Sequence, residues 1–563
     1  MNRESIKALL KRSPLIKRLH KKYTNLISAG HAIFDWSPFR KLIEQSEATN
    51  RSKNSRRVLL GTVTGKHLVA LNIENLVGAA LRIRGHQVHA LVCDGILPAC
   101  LMCEYGLVSN MRSFVKKGAR SYFCSGCQES AYQAYGSSGV TIHKISECLT
   151  DTDIAQARDI AAKTSYADIL GLEVDGIPVG QHAKSGALRF FAKSSLGGEQ
   201  YAEQVMRLYI ESAIMVMKAV NNLNQRIGFN ASMFHHGIYV PHGVIGEVLR
   251  RDGVPVVNWN AGYRKGTFLF SHGNTYHYTM LDEDTKTWES MELNQEKKTQ
   301  LTNYMASRTK GTRDWHAFLR NPSEKVELPG LDASKPTVAL LTNVCWDAQL
   351  HYPSNVYNTM LDWIFDTIEY FIERQDLQLV IRIHPAEITG DIPSRERVDS
   401  AIAERFKNLP GNIFVVPPES NLSTYKLIEL SNTTIIYGTK TGVEVALMGK
   451  PLIVAGEAWI RNKGLSMDVT SRAQYHDLLD QLPYSRTLGN DHAERASKYA
   501  YHFFFDKMIP LDMVVADVGW PPFRIEIKGV DNLVPGASQG LDVICDGIVY
   551  GKEFLCRTCS DSK

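Results

Sequence analysis

Residues 433–456 have the sequence TTIIYGTKTGVEVALMGKPLIVAG, and this stretch decides the fold. The β-branched and apolar run TTIIYG predicts a strand, the spacing over 442–448 predicts a helix, and PLIVAG predicts a second strand. A strand, a helix and a strand in this order are typical of a parallel sheet. We therefore expect a mostly parallel sheet with helices on both faces.

The loop between this strand and helix carries a candidate phosphate site. It consists of Gly438, Thr439, Lys440, Thr441 and Gly442. Free backbone amides at the helix start, two hydroxyls and one lysine suit a pyrophosphate or a nucleotide monophosphate. The spacing is not that of a P-loop, which argues against ATP hydrolysis. The alternative is that the glycines only turn the chain.

Two neighbouring segments add candidate ligands for the same donor. Glu444 lies in the first helical turn, where it either accepts from ribose hydroxyls or caps the helix. The motif RIHPAE ends an apolar strand, so Arg382 and His384 are predicted to donate to phosphate oxygens, with Pro385 stiffening the turn behind them. A purely structural role for His384 is the alternative.

The same alternation continues along the chain. TVALLTNV, LQLVIRIHP and NIFVVPP predict strands with helices over 355–374 and 395–406, and an earlier series starts near residue 56 with RRVLLGTVTGKH. Residues 321–335 contain two prolines, a glycine and several charges, which is the composition of a linker. We predict an α/β fold with domains over 56–330 and 335–515 that face a cleft, and a tail over 516–563.

RIHPAE and SNTTIIYGTKTGVEVALMGKPLIVAGEAW together resemble the capsule polysaccharide biosynthesis family and related bacterial sialyl- and Kdo-transferases. The resemblance covers about residues 335–480 and implies a GT-B-like fold of two Rossmann-like domains. In members that use CMP-activated sugars it implies that His384 and Pro385, and the hydroxyls of Thr439 and Thr441, meet the donor. The implied activity is transfer of a sugar from a nucleotide-sugar to a lipid-linked or surface glycan of capsule or lipopolysaccharide type. We expect this transfer to need no divalent metal if the loop 438–442, Arg382 and His384 neutralise the phosphate.

Two other functions are compatible with this fold. A nucleotide-sugar 2-epimerase shares the paired domains and needs no acceptor. A glycan-binding or export-coupling protein keeps the fold without turnover.

A transferase needs a base for the acceptor hydroxyl, and the sequence offers three candidates. The related transferases often take this base from an acidic residue before a glycine, and Asp94 in VCDG is the nearest match. His235 and His236 in MFHHG also follow a predicted strand. Each of the three has a structural alternative, because Asp94 can cap a turn and the histidines can line a domain interface.

The cysteines form a separate pattern, an insertion over 93–127. Cys100 and Cys103 make one CxxC, and Cys124 and Cys127 make another after 20 residues, which is typical of a four-thiolate structural zinc site. Cys93 is close enough to replace one ligand or to help bind an iron–sulfur cluster, our second choice. Unliganded thiols are the third possibility, and the CxxC at 556–559 is a weak signal.

The first 55 residues form a basic leader. Residues 1–57 hold 14 Lys and Arg against four Asp and Glu, a balance of +10, so the other 506 residues carry −5 of the chain's +5. Apolar residues interleave with the basic ones over 1–27, which favours an anionic membrane surface, although a solvated helix is the alternative. No secretory signal or long apolar run is present, so we expect a cytoplasmic protein at the inner membrane face that binds no nucleic acid.

Overall fold

The computed structural model describes residues 33–315, 318–319, 322–323, 325–485 and 487–557. It contains two large sheets and a two-stranded hairpin within this part of the chain. The predicted leader falls largely on residues 1–32, which lie outside the described residues.

The first sheet has seven strands. Its strands are β1 Arg57–Leu60, β2 Gln87–Val92, β3 Thr141–Lys144, β4 Ala231–His235, β5 Val256–Ala261 and β6 Thr267–His272, with Ile509–Pro510 on the edge. The strand order is β3-β2-β1-β4-β5-β6 followed by Ile509–Pro510, and β1 to β5 are mutually parallel. The order of the first five strands is that of the Rossmann fold, which places a ligand crevice between β1 and β4.

Helices cover this sheet on both faces. They are Arg40–Asn50, Leu68–Ile83, Met111–Lys117, Cys127–Ser138, Asp151–Lys163, Val179–Phe191, Ala202–Ile227, His242–Arg251 and Gln539–Tyr550. The helix Leu68–Ile83 follows β1 directly and is buried along almost its whole length, because other helices pack over it.

The second sheet has six parallel strands. They are β7 Thr337–Leu341, β8 Gln378–Arg382, β9 Ile413–Val416, β10 Thr433–Ile436, β11 Leu452–Val454 and β12 Met467–Asp468. The order β9-β8-β7-β10-β11-β12 is again that of the Rossmann fold. The associated helices are Lys286–Glu289, Gln295–Lys310, Met360–Glu373, Ala386–Thr389, Val398–Arg405, Thr424–Leu430, Thr441–Leu447, Arg472–Asp480 and Asn490–Tyr501. The helix Tyr276–Leu281 contacts β5 and β6 of the first sheet. The predicted α/β fold with two Rossmann-like domains is confirmed.

Local chemistry decides where some of these helices begin. The helix predicted over 355–374 starts at Met360, because the Thr359 side chain accepts from the Asp362 backbone and the Asp362 carboxylate accepts from the Thr359 backbone N–H. This capping box satisfies two amides at the helix start. The residues before Thr359 are therefore left to the loop that follows β7.

The chain crosses between the two sheets at places other than the predicted linker and tail. Trp288, Leu301 and Tyr304 are buried with the core of the second sheet, although they precede residue 330. From Ile509 the chain returns to the first sheet, and the helix Gln539–Tyr550 packs against Leu68–Ile83. The structure thus divides the chain differently from the ranges 56–330, 335–515 and 516–563, because burial of apolar faces and not linker composition decides where a segment packs.

No helix in the described residues is long and apolar enough to cross a membrane.

Candidate functional site

The loop 438–442 lies where the order of the second sheet reverses, between β7 and β10. Asn343, which follows β7, donates from its side-chain amide to the carbonyl of Gly438 at 3.0 Å. Within the loop, the backbone N–H of Thr441 donates to Oγ1 of Thr439 at 3.3 Å. These bonds hold the loop at the carboxyl edge of the sheet, where open α/β sheets bind their ligands.

Gly442 is required for packing at the start of the helix Thr441–Leu447. A Cβ atom there would lie 2.8 Å from Ile436 Cδ1 and 2.9 Å from Ile460 Cγ2. The glycine therefore lets the helix start approach β10 closely, a role of glycine in loops that carry phosphate.

His384 stands beside this loop as a neutral hydrogen-bond donor. Its Nδ1 accepts from the backbone N–H of Ala386 at 3.0 Å, so the proton of the neutral ring sits on Nε2. Burial, with a smaller contribution from the charges of Lys440 and Arg382, lowers the pKa of His384 to about 4. Pro385 precedes the short helix Ala386–Thr389 and fixes the turn that holds the ring. His384 can thus donate to a phosphate oxygen without carrying a charge.

Lys440 and Glu444 form a buried charged network with Arg308. Glu444 Oε1 lies 2.8 Å from Arg308 Nη2 and 3.4 Å from Lys440 Nζ. Burial opposes ionisation, but Lys440 and Arg308 hold the pKa of Glu444 below its usual value. Glu444 is 1% exposed, and its Oε2 has no hydrogen-bond partner in the described part of the chain. This oxygen is a buried acceptor whose hydrogen-bonding capacity is unused among the described residues.

Arg382 is held by backbone carbonyls and not by the loop. Its Nη1 donates to the carbonyls of Ile383 and Pro417 at 2.9 Å, and its Nη2 donates to that of Ser420 at 3.0 Å. Burial lowers the pKa of Arg382 to about 10. Arg382 thus ties down the turn after β9, while its buried Nε has no hydrogen-bond partner among the described residues, and its contact with phosphate stays a prediction.

The carboxyl edge of the first sheet carries a cluster of histidines. The His235 ring lies 4.4 Å from His67 and 5.6 Å from His236, measured between centroids. His235 donates from Nε2 to Asn260 Oδ1 at 3.2 Å, which leaves Nδ1 as an acceptor without a partner among the described residues. Its backbone N–H donates to Thr62 Oγ1 at 2.9 Å. The two histidines predicted from MFHHG thus lie together, and His67 joins them from the loop after β1.

His236 lies where the first sheet meets segments packed on the second. Its φ is +66°, in the left-handed region, and its ring centroid lies 6.4 Å from that of His277. His277 in turn accepts from Trp459 Nε1 at 3.0 Å and shares a hydrogen bond with the Tyr352 hydroxyl at 3.1 Å. This chain of contacts joins the two carboxyl edges.

Burial keeps these histidines uncharged. It lowers the pKa of His67 to about 4, and those of His236 and His277 to about 3. Burial, reinforced by His67, also holds the pKa of His235 well below its usual range. Rings of this kind are free to accept a proton once an anionic ligand offsets the burial.

Asp94 lies apart from the histidine cluster. Its Oδ1 accepts weakly from the backbone N–H of Ser146 at 3.4 Å, and its side chain lines a cavity of about 250 Å³. Four cysteines line the same cavity: Cys93, Cys100, Cys124 and Cys127. Asp94 is therefore not among the residues that the structure brings together with His235 and His236.

Cys103 takes no part in the wall of this cavity. It is fully buried, and its Sγ accepts from the Cys100 backbone N–H at 3.4 Å. In the described residues no group of three or more His, Cys, Asp or Glu side chains has the spacing that holds a metal ion. The predicted set Cys100, Cys103, Cys124 and Cys127 thus does not match the four thiols that share the cavity.

Arg308 and His67 are among the residues of the site that were not predicted. Arg308 lies on the helix Gln295–Lys310, far from any motif in sequence, and no local signal indicates its contact with Glu444. His67 carries a signal that was available, since the glycine-containing loop after β1 precedes a helix at the reversal point of the first sheet.

No protein-family model matches the chain, and no curated protein matches it by sequence. Among solved structures, KpsC of Thermosulfurimonas dismutans, a beta Kdo 2,4 transferase, is similar at 13% identity and a TM-score of 0.34, over 49% of this chain and 79% of that one. UDP-GlcNAc 2-epimerase of Neisseria meningitidis gives 10% and 0.23, over 79% and 97%. The spinosyn rhamnosyltransferase SpnG gives 13% and 0.23, over 80% and 96%. At these values the likenesses assign neither a substrate nor an activity to the chain.

Proposed function

We propose that the chain is a glycosyltransferase that moves a sugar from a nucleotide-sugar onto a glycan of capsule or lipopolysaccharide type. The observation that carries this proposal is the set of groups at the reversal point of the second sheet. A neutral Nε2–H donor of His384, the charge of Lys440 and an unpaired buried oxygen of Glu444 lie around the loop 438–442. The His384 donor and the Lys440 charge suit a phosphate group, and the Glu444 oxygen suits a ribose hydroxyl.

In this proposal the carboxyl edge of the second sheet binds the donor, and that of the first sheet activates the acceptor. Lys440, His384 and the hydroxyls of Thr439 and Thr441 hold the donor phosphate and stabilise the negative charge that it gains as the bond from sugar C1 to phosphate oxygen breaks. The acceptor hydroxyl forms the new bond to C1 and gives up its proton. His235 Nδ1 is the base that we assign to that proton, since Asn260 fixes the ring with this nitrogen unprotonated.

An assay with purified protein and CMP-, UDP- and GDP-sugars tests the proposal. We expect one donor class to be consumed faster when a glycan acceptor is added. Lys440→Ala should lower kcat/KM by about 10- to 100-fold, because a charged hydrogen bond to phosphate contributes about 1.5–3 kcal/mol. Lys407→Ala is the matched control, since Lys407 is exposed and lies in the same domain.

The same assay distinguishes the alternative functions. Conversion of the donor to another sugar nucleotide without acceptor would indicate a 2-epimerase. Donor binding with neither transfer nor hydrolysis across the panel would indicate a binding protein of this fold.

We also propose that residues 1–27 bind an anionic membrane surface beside a lipid-linked acceptor. The support is the balance of +10 over residues 1–57 and the interleaved apolar residues. Flotation with vesicles that contain acidic lipids should recover the full chain but not a variant that lacks residues 1–27. Equal recovery of both proteins would contradict this role.

A further inference from the structure

The cavity beside Asp94 is a second site that the proposed transfer reaction does not use. Its volume is about 250 Å³, and four thiols line it: Cys93, Cys100, Cys124 and Cys127. Cys93 follows β2, Cys100 lies in the next turn, Cys124 lies in a loop, and Cys127 begins the helix Cys127–Ser138. Separate segments thus bring four thiols to one space.

Backbone N–H groups point at three of these sulfur atoms. The contacts are those of Gly95 and Leu97 with Cys93, of Met102 with Cys100, and of Gly65 and Lys66 with Cys127. An N–H group that donates to sulfur favours the thiolate form, and such bonds surround the cysteine ligands of protein-bound clusters. Burial raises the pKa of Cys93, Cys124 and Cys127, and the neighbouring Cys103 thiol together with burial raises the pKa of Cys100. The placement of the N–H groups around the cavity, and not the protonation state of the thiols, is therefore what supports ligation.

The arrangement of the thiols suits a cluster better than a single ion. Zinc holds its thiolates at about 2.3 Å, so four ligands of one zinc ion converge on a point. Here the thiols line the wall of a space of about 250 Å³, and they do not converge at the spacing of ligands to one ion. Iron–sulfur clusters fill a volume between four separate cysteines.

We propose that Cys93, Cys100, Cys124 and Cys127 ligate an iron–sulfur cluster. Arg120 lines the cavity, and the charge of Lys66 acts on Cys124, so both offset the negative charge of a thiolate-bound cluster. Asp94 and Glu129 also line the cavity, and their carboxylates add negative charge beside the cluster. Cys103 is not a ligand in this assignment.

The loop after β1 links the cluster site to the histidine cluster at the carboxyl edge of the first sheet. A Cβ atom on Gly65 would lie 1.8 Å from the carbonyl oxygen of Cys127, so this loop packs directly against the ligand segment. The same loop carries Thr62 and His67, which contact His235. A bound cluster would therefore fix the loop on which the histidine cluster rests.

Metal and sulfide analysis of the full chain, purified without oxygen, tests the assignment. We expect iron and acid-labile sulfide in equal amounts, about four of each for a cubane cluster, and Mössbauer spectra of thiolate-bound iron. One equivalent of zinc, or no metal at all, would overturn the proposal. This measurement needs no variant, so a folding defect cannot obscure it.

A matched pair of variants then tests which cysteines are ligands. Cys93→Ser should lose most of the iron and sulfide, whereas Cys103→Ser should keep both, although both cysteines are buried. The set of ligands predicted from CxxC spacing requires the reverse. Retention of full iron by Cys93→Ser together with its loss from Cys103→Ser would refute the assignment.

Discussion

The two sheets share one strand order but carry different chemistry at their carboxyl edges. The edge of the second sheet holds a charged network of Lys440, Glu444 and Arg308. The edge of the first holds histidines that burial keeps neutral, among them His235 and His67. Positive charge and hydrogen-bond donors bind a phosphate group, whereas an uncharged base is needed to deprotonate an acceptor hydroxyl. The comparison teaches that the shared topology positions both sites, while their side chains alone determine the different chemistry of each.

We call the carboxyl edge of the first sheet, with its uncharged histidines, the neutral edge. Removal of the proposed base there should have the largest effect on turnover. His235→Gln keeps a donor near the Nε2 position for Asn260 but removes the Nδ1 acceptor. We expect kcat to fall by about 10²- to 10⁴-fold, with donor affinity unchanged, because only the proton acceptor is lost. Steady-state kinetics and nucleotide titration measure the two quantities.

Two further substitutions serve as comparisons for His235→Gln. His272→Gln should be silent, since that ring bonds a carbonyl of Lys552 on an exposed part of the first sheet. Asp94→Asn should leave transfer nearly normal, because Asp94 lines the cysteine cavity. Loss of transfer in Asp94→Asn with normal turnover in His235→Gln would reverse our assignment of the base.

Acid should weaken the fold through the neutral histidines. The pKa values of His67 and His384 are about 4, and those of His236 and His277 are about 3, against about 6.5 in the unfolded chain. The unfolded state therefore binds more protons below pH 6.5, and stability falls as pH falls. After allowance for partial exposure we expect a loss of about 1–2 kcal/mol for each ring between pH 7 and 5.

Urea unfolding at pH 7 and pH 5 measures this loss directly. Equal free energies of unfolding at the two pH values would show that these rings titrate normally, and the neutral edge would then not exist. Replacement of His236 by Asn should reduce the difference between the two pH values.

Disruption of the charged network at the second sheet should lower the free energy of unfolding by less than acid does through all the neutral histidines together. Glu444→Ala removes the common partner of the buried Arg308 and Lys440. Arg308 keeps its ion pair with Asp314 at 2.6 Å, so we expect a loss at the low end of about 3–5 kcal/mol in the free energy of unfolding. Addition of Arg308→Met should recover part of it. Glu429→Ala is the control, since the Glu429 side chain is 63% exposed.

A double-mutant cycle reports the coupling in this network. Additive losses for Glu444→Ala and Arg308→Met would contradict the buried pairing that we describe.

Overpacking at the loop should give the smallest effect. Gly442→Ala places a methyl group against Ile436 and Ile460, and we expect a destabilisation of about 1–3 kcal/mol. Gly411→Ala is the matched control, because nothing lies within 4 Å of the added Cβ. Thermal unfolding compares the two variants, and equal melting temperatures would show that Gly442 is not needed for packing.

The sequence predicts what is local in this molecule. Strands, helices and the loop 438–442 follow from periodicity and glycine placement, and they appear where we expected them within a few residues. Arg308 and Glu444 are 444 − 308 = 136 residues apart, and their contact depends on the helix Gln295–Lys310 packing on the second sheet. No pattern of spacing encodes that packing.

Arg382 and Cys103 show the same limit. Arg382 ends β8 as predicted, but the turn after β9 supplies carbonyls that accept from its Nη1 and Nη2. Cys103 completes a CxxC in sequence, yet its buried side chain lies behind Cys100 and does not line the cavity that Cys93 lines. Sequence spacing identifies candidate groups, and tertiary packing decides which of them converge.

The most direct test of the central claim is nucleotide binding at the second sheet. Isothermal titration with CMP, UDP and GDP should show one nucleotide that binds the wild-type chain. His384→Asn keeps an acceptor near the Nδ1 position for Ala386 but removes the Nε2–H donor. We expect this variant to bind that nucleotide about tenfold or more weakly, as a lost charged hydrogen bond implies. Equal affinity of both proteins, or no binding of any nucleotide, would contradict the account.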